Sequence, residues 1–249
     1  PSTDAILTCR LIDRPLRPSF PEGFRNEVHV VGTILGADQE NPHDILAINA
    51  ASAALCISPI PFDGPLGAVK LAFTAEGTWI AYPTWEEGKD ATFEMVVAGR
   101  LLDDGDVAVM IVEAGGGEHA WQHYEAGAPK VTEEIVAAGL EVSKSHIKDA
   151  IELQQELIDA VGGKPEIFEF TVASDYDDDV FAAVEAAATD RVAETYQIAD
   201  KAERTGVEDE MKAAIVAELL PQFEDLAGAE KQSKAAIRSL TKKVVRKRI

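Results

Sequence analysis

Arg10, Arg14 and Arg17 stand at i, i+4 and i+7 in a segment, residues 4–15 (DAILTCRLIDRP), whose Ile6, Leu7 and Leu11 recur with helical spacing. Three guanidiniums therefore share one stripe of a helix whose other side is apolar. Each presents a planar fork that can hold successive phosphates of a nucleic-acid strand, or a phosphate ion. The same stripe also reads as a solvated face balanced by Asp4, Asp13 and Glu22. His119 and His123 have the i, i+4 spacing of a metal-binding helix, but Ala120 stands where a zinc protease carries its glutamate, so both read as surface histidines. Asp175, Asp177, Asp178 and Asp179 could attract Mg²⁺; placed just ahead of a helical stretch, they read instead as a cap that offsets the helix dipole. Gly115–Gly117 lacks the Lys-Ser/Thr sequel of a phosphate loop and reads as a flexible turn. No Ser-His-Asp or Cys-His arrangement stands out, and the residues taken alone define no active site.

The elements that must position these groups follow from periodicity. Asp4 can cap the first helix, and Pro15 is expected to stop it near Arg14. Val28–Leu35, rich in β-branched residues, predicts a buried strand, followed by a turn over Gly36–Asn41. Asp44–Leu55 carries only its first residue as a charge and predicts a helix buried on most of its surface, ended by Pro59, Pro61 and Pro65. Gly67–Thr74, Thr78–Tyr82, Thr92–Ala98 and Val107–Glu113 predict strands, the first two joined in a hairpin through Ala75-Glu76-Gly77. From Val131 the period turns helical and runs to Val161, where Gly162-Gly163-Lys164-Pro165 breaks it. Helices are expected again over Asp179–Tyr196, Glu208–Leu220 and Glu230–Arg248. The expected architecture is an α+β unit over residues 1–164 and an all-helical unit over 165–249.

Charge narrows the function. Twenty-three Lys and Arg face forty-four Asp and Glu, a net charge of −21 that would repel a polyanion if spread evenly. It is not spread evenly: residues 230–249 hold eight basic side chains against one acid, Glu230. Lys231, Lys234 and Arg238 there could line a nucleic-acid approach, or form an interdomain or solvated face. Cys9 and Cys56 lack metal-ligand spacing and fit a reducing, cytoplasmic compartment, and no apolar run reaches the length of a membrane span. The first residue is Pro1 and the last, Ile249, falls in mid-pattern, so a segment of a longer protein is expected.

Leu7-Thr8-Cys9-Arg10-Leu11-Ile12-Asp13-Arg14-Pro15-Leu16-Arg17-Pro18, followed by Phe20-Pro21-Glu22-Gly23, resembles the first ribonuclease-PH-like domain of the bacterial polynucleotide phosphorylase family. Ile48–Leu55, Ile60–Pro65, Val96–Gly99, Tyr196–Lys201 and Val244–Arg248 extend the resemblance over essentially the whole chain. It implies a ribonuclease-PH-like (ribosomal protein S5 domain 2-like) fold lacking its opening strands, followed by a helical linker domain. It further implies an enzyme that degrades RNA from the 3′ end, consuming inorganic phosphate with Mg²⁺, releasing nucleoside diphosphates, and able to run in reverse. Such enzymes are homotrimers that can join RNA-degrading assemblies.

The resemblance implies that the phosphate-binding serines, the metal-binding carboxylates and a catalytic lysine belong to a second core domain. The serine-rich turn of that half falls opposite Asn41-Pro42-His43-Asp44, and its Asp-Phe-Lys opposite Glu94-Met95-Val96, so the lysine becomes a valine. No catalytic or metal-binding residue is expected in this chain, whereas Arg10 and Arg14 match family arginines facing the RNA path, with Arg17 as a third candidate. The alternative is a scaffold that guides RNA without activity of its own.

Overall fold

The computed structural model describes residues 2–223 and 226–248 and divides into two compact units, 1–171 and 172–249. In the first, β1 (Gly67–Phe73), β2 (Trp79–Ala81), β3 (Phe93–Leu101) and β4 (Val107–Gly116) form an antiparallel sheet in the order β2-β1-β3-β4. The expected hairpin is present, with Leu71 opposite Ala81 and Phe73 opposite Trp79. Strand alternation sends Val69, Leu71, Met95 and Val97 to one face, where α5 (Glu133–Ala160) covers them with Ile147 and Ile151. Ala68, Val96 and Ala98 point to the other face, against Ile45 and Ile48 of α2 (Asp44–Cys56) and Leu11 and Ile12 of α1 (Thr3–Leu16). This is the α+β architecture expected from the sequence, with short helices α3 (Trp85–Asp90) and α4 (Ala120–Glu125) added at the periphery.

Polar side chains fasten the start of β1 to both helical layers. The Asn49 carboxamide accepts from the Ala68 amide at 2.8 Å and donates to its carbonyl at 3.1 Å, acting as a short piece of neighbouring strand. Ser52 Oγ accepts from the Leu66 amide, and Gln154 Nε2 of α5 donates to the Leu66 carbonyl, both at 2.8 Å. Buried backbone groups that miss a ladder partner are thereby satisfied.

Four expectations are corrected. Ser2, not Asp4, caps α1, its side chain accepting from the Ala5 amide. Pro15 lies inside the helix, which continues to Leu16 and then through a tight turn at Arg17–Ser19. A proline this close to the end leaves only the Leu11 carbonyl without its intrahelical donor, and burial of Pro15 and Leu16 offsets that loss. Val28–Leu35 has no regular secondary structure and is not a strand: Val31 is 84% and Leu35 95% exposed, and no strand among the described residues pairs with it. β-Branched residues favour extended backbone, but a strand also needs ladder hydrogen bonds, and this segment forms none with the edge strands β2 and β4. Gly115 and Gly116 continue β4 opposite Glu94 and Phe93 instead of turning, and Gly117 donates to the Thr92 carbonyl. A Cβ at Gly117 would lie 1.8 Å from the Ala91 carbonyl oxygen, so a close backbone approach requires the glycine. The helix α2, in contrast, is covered on most of its surface as expected, with only the narrow stripe Leu46, Ala50 and Ala54 exposed.

In the second unit, α6 (Asp178–Thr195), α7 (Lys201–Leu219) and α8 (Ala229–Arg246) enclose a core of Val180, Val184, Ala188, Val192, Met211, Ile215, Ile237 and Leu240. The helix α7 begins seven residues earlier than its apolar period suggests, because Asp200 caps it by accepting from the Glu203 amide at 2.8 Å. Asp177 occupies the N-cap position of α6, with Asp178 and Asp179 in its first turn, and the Asp177 amide donates to Gln232 on α8.

Candidate nucleic-acid interface

The helix α1 sets the arginine stripe because Leu11, Ile12 and Leu16 commit its other side to the cores under the sheet and beside α2. Arg10, Arg14 and Arg17 are all exposed, and their environments differ. Arg17 is held by its own helix: its Nη2 lies 2.8 Å from both carboxylate oxygens of Asp13, and its Nε 3.1 Å from one of them. Arg14 reaches across to Glu113 on β4, with which it forms an ion pair. Arg10 has no hydrogen-bonded or ionic partner among the described residues. The stripe therefore presents one fully available guanidinium, one shared with a carboxylate from a distant strand, and one chelated locally. Glu113 faces α1 because the bulge between Ala98 and Gly99 leaves Ile111 opposite Ala98 and Glu113 opposite Val96, on the helix-covered side. No sequence spacing could have revealed that pair.

The turn ahead of α2 is built around Asp38. Its carboxylate accepts from the Glu40 and Asn41 amides at 2.9 Å and from the Asn41 side-chain amide at 2.6 Å. The Asn41 amide first, its side chain next and the Glu40 amide after it hold the Asp38 carboxyl down at about 2. Asn41 is thus spent on the turn, His43 occupies the N-cap of α2 without a side-chain cap bond, and Asp44 accepts from the Ile45 amide.

The second motif singled out by resemblance is equally committed to structure. Glu94 lies 2.9 Å from Lys70 in a largely buried ion pair on the α2-covered face of the sheet. Val96, 7% exposed, packs among Ile45, Ile48, Ala68 and Ala98. A valine side chain can neither ligate a cation nor neutralise a phosphate, and Glu94 already has its counter-charge. These donors do not fit a Mg²⁺ site, and no group of three His, Cys, Asp or Glu is arranged to hold a metal among the described residues. His119 and His123 are not brought together as ligands: His119 occupies the N-cap position of α4 without a side-chain cap bond, and His123 Nε2 lies 3.2 Å from Asp90. Cys56 is buried beside Phe62, which pushes its thiol pKa up, while Cys9 is exposed on α1. An open hollow of about 520 Å³ beside Pro65 sets Asp63, Asp103 and Glu152 around Arg100, which is itself paired with Asp63; this lining repels a polyanion.

On the second unit, the basic side chains of α8 lie at the surface, and some of them are paired. Lys234 pairs with Glu230 at 2.5 Å, Lys243 pairs with Glu185 at 2.6 Å and lies over the Phe181 ring, and Arg248 donates to the Tyr196 carbonyl. Lys231, Arg238, Lys242 and Arg246 are exposed and without ionic partners among the described residues.

Sheet, helices and stripe together define an α+β domain of the ribonuclease-PH kind accompanied by a helical unit, and two family models match accordingly. Residues 1–61 match the 3′ exoribonuclease family, domain 1, and residues 179–249 match the polyribonucleotide nucleotidyltransferase RNA binding domain. The chain is 52% identical over its whole length to the polyribonucleotide nucleotidyltransferase of Salinispora arenicola and 53% to that of Salinispora tropica, covering 31% of each. It is 50% identical to the enzyme of the same name from Mycobacterium tuberculosis, covering 33% of it. Along its whole length the chain is thus similar to polyribonucleotide nucleotidyltransferases, and it spans about a third of the length of these curated relatives. No helix among the described residues is long and apolar enough to cross a membrane.

Proposed function

We propose that this chain is the RNA-holding, non-catalytic part of a 3′-to-5′ phosphorolytic exoribonuclease. In this reading residues 1–164 form its first ribonuclease-PH-like domain and 165–249 its helical linker. Arg10, Arg14 and Arg17 grip the RNA backbone near the 3′ end. Inorganic phosphate, Mg²⁺ and the groups that act on the phosphodiester engage a second core domain outside this chain. The whole enzyme releases nucleoside diphosphates during RNA turnover in the cytoplasm, as a homotrimer able to join an RNA-degrading assembly.

The observation that carries the reading is a contrast within one sheet domain. The α1 stripe offers exposed guanidiniums, of which Arg10 is unpaired among the described residues, whereas Val96 and Glu94 are committed to core and ion pair. Fixed positive charge without a general acid, base or metal cradle binds phosphates but does not cleave them. The test is phosphate-dependent release of nucleoside diphosphates from a homopolymer RNA, run on the isolated chain and on a full-length enzyme containing it. The full-length enzyme is expected to release them and the isolated chain to bind RNA with no turnover; turnover by the isolated chain overturns the reading.

A further inference from the structure

We infer that the outward face of α8, carried by Lys231, Arg238, Lys242 and Arg246, is a track for the phosphate backbone of single-stranded RNA. The inference rests on the RNA reading above and deepens it: within the unit that matches the RNA binding domain model, it assigns the contact to one helix face and makes it sequence-independent. The side chains of α8 divide by helical phase. Ser233, Ala236, Ile237 and Leu240 are buried in the bundle, while Lys231, Arg238 and Lys242 fall within a narrow stripe on the opposite side, with Arg246 at its margin. Four-residue steps place Arg238, Lys242 and Arg246 about 6 Å apart along the axis. That is close to the phosphate separation of an extended strand.

Ordinary helix electrostatics does not account for this stripe. Cations in the last turn of α8 suit the negative end of the dipole, but Lys231 sits in the first turn, where a cation is disfavoured, and Arg238 lies mid-helix. Nor is the charge neutralised within the unit, since only Lys234 and Lys243 of the α8 lysines and arginines have ionic partners among the described residues. Residues 172–229 carry four basic side chains against fifteen acidic ones, and residues 230–249 eight against one. A polyanion is thus repelled from most of the unit and admitted along one helix. The helix α8 contains no aromatic residue, and its larger apolar side chains Ile237 and Leu240 are buried. The face can neither stack bases nor insert into a lipid surface, and its contact with RNA is purely ionic.

The test is fluorescence anisotropy of labelled oligouridylate and oligoadenylate titrated with the full chain across a salt series. Lys231→Gln, Arg238→Gln and Lys242→Gln combined should weaken binding roughly tenfold at low salt. They should also reduce the slope of log K against log salt by about 2, equally for both RNAs. Lys212→Gln on α7, whose lysine already pairs with Glu208, should leave the slope unchanged. All these side chains are at or near the surface, and an unchanged helical circular dichroism spectrum shows the bundle intact. An unchanged slope in the triple variant overturns the inference, as does an equal loss in Lys212→Gln. So does unaltered RNA binding with lost affinity for phosphatidylserine vesicles. If Arg10→Gln with Arg14→Gln weakens binding while the α8 variant does not, only the α8 track fails. A wild-type chain without RNA affinity at low salt removes both readings.

Discussion

Three arginines on one stripe differ in availability because their neighbours do. Asp13 lies four residues before Arg17, so their pairing is readable from spacing; Glu113 lies ninety-nine residues from Arg14 and meets it only because β4 runs under α1. Any phosphate that engages Arg14 must compete with Glu113. Glu113→Gln is therefore expected to tighten RNA binding about two- to fivefold, the scale of an exposed ion pair, and Arg14→Gln in that background should abolish the gain. Affinity measured for both single variants and the double variant checks this, and a gain that survives loss of Arg14 would show that only net charge had changed. Asp38 is held at about 2 by the Asn41 and Glu40 donors. A depressed carboxyl contributes to the folded turn above its ordinary range and loses that contribution as pH falls through about 2. Titration followed by NMR should place Asp38 there, and Asn41→Ala should move it toward the ordinary carboxylate range.

At the level of elements, strands, helices and the hairpin were legible because their apolar periods agree with their final burial. The failures are equally physical. Val28–Leu35 has the composition of a strand yet pairs with neither edge strand, β2 or β4, and composition cannot state whether a segment will join a ladder. Gly115–Gly117 has the composition of a turn, but the Ala91 carbonyl presses against Gly117 and keeps the chain running as strand. The same kind of approach fixes Gly139 on α5, where a Cβ would lie 2.2 Å from Met95 Cε and 2.6 Å from the Trp79 ring. Gly139→Ala is expected to destabilise the first unit by about 1–3 kcal/mol, despite the better helix propensity of alanine, as read from chemical denaturation. Thr84 and Glu87 form a complete capping box on α3, and Thr84→Ala should cost about 1 kcal/mol in the same assay.

For the whole molecule, a net charge of −21 first argues against nucleic acid, and the structure shows why an average misleads. Acids coat α6 and α7, whereas α1 and α8 each present an exposed basic face that a spacing argument can find but cannot rank. Ranking them required the partners: Asp13 for Arg17, Glu113 for Arg14, and none among the described residues for Arg10. The sites that resemblance marks as altered, Asn41–Asp44 and Glu94–Val96, are likewise explained by what they touch, a turn and a core. The central claim is that the α1 stripe holds RNA while chemistry is performed elsewhere. Its most direct test is the kcat/KM for phosphorolysis of homopolymer RNA by a full-length enzyme carrying Arg10→Ala and Arg14→Ala. The account predicts a fall of at least tenfold, corresponding to about 1.5–3 kcal/mol for a lost charged contact, with kcat at saturating RNA largely retained. An unchanged kcat/KM in both single variants and the double variant would contradict it.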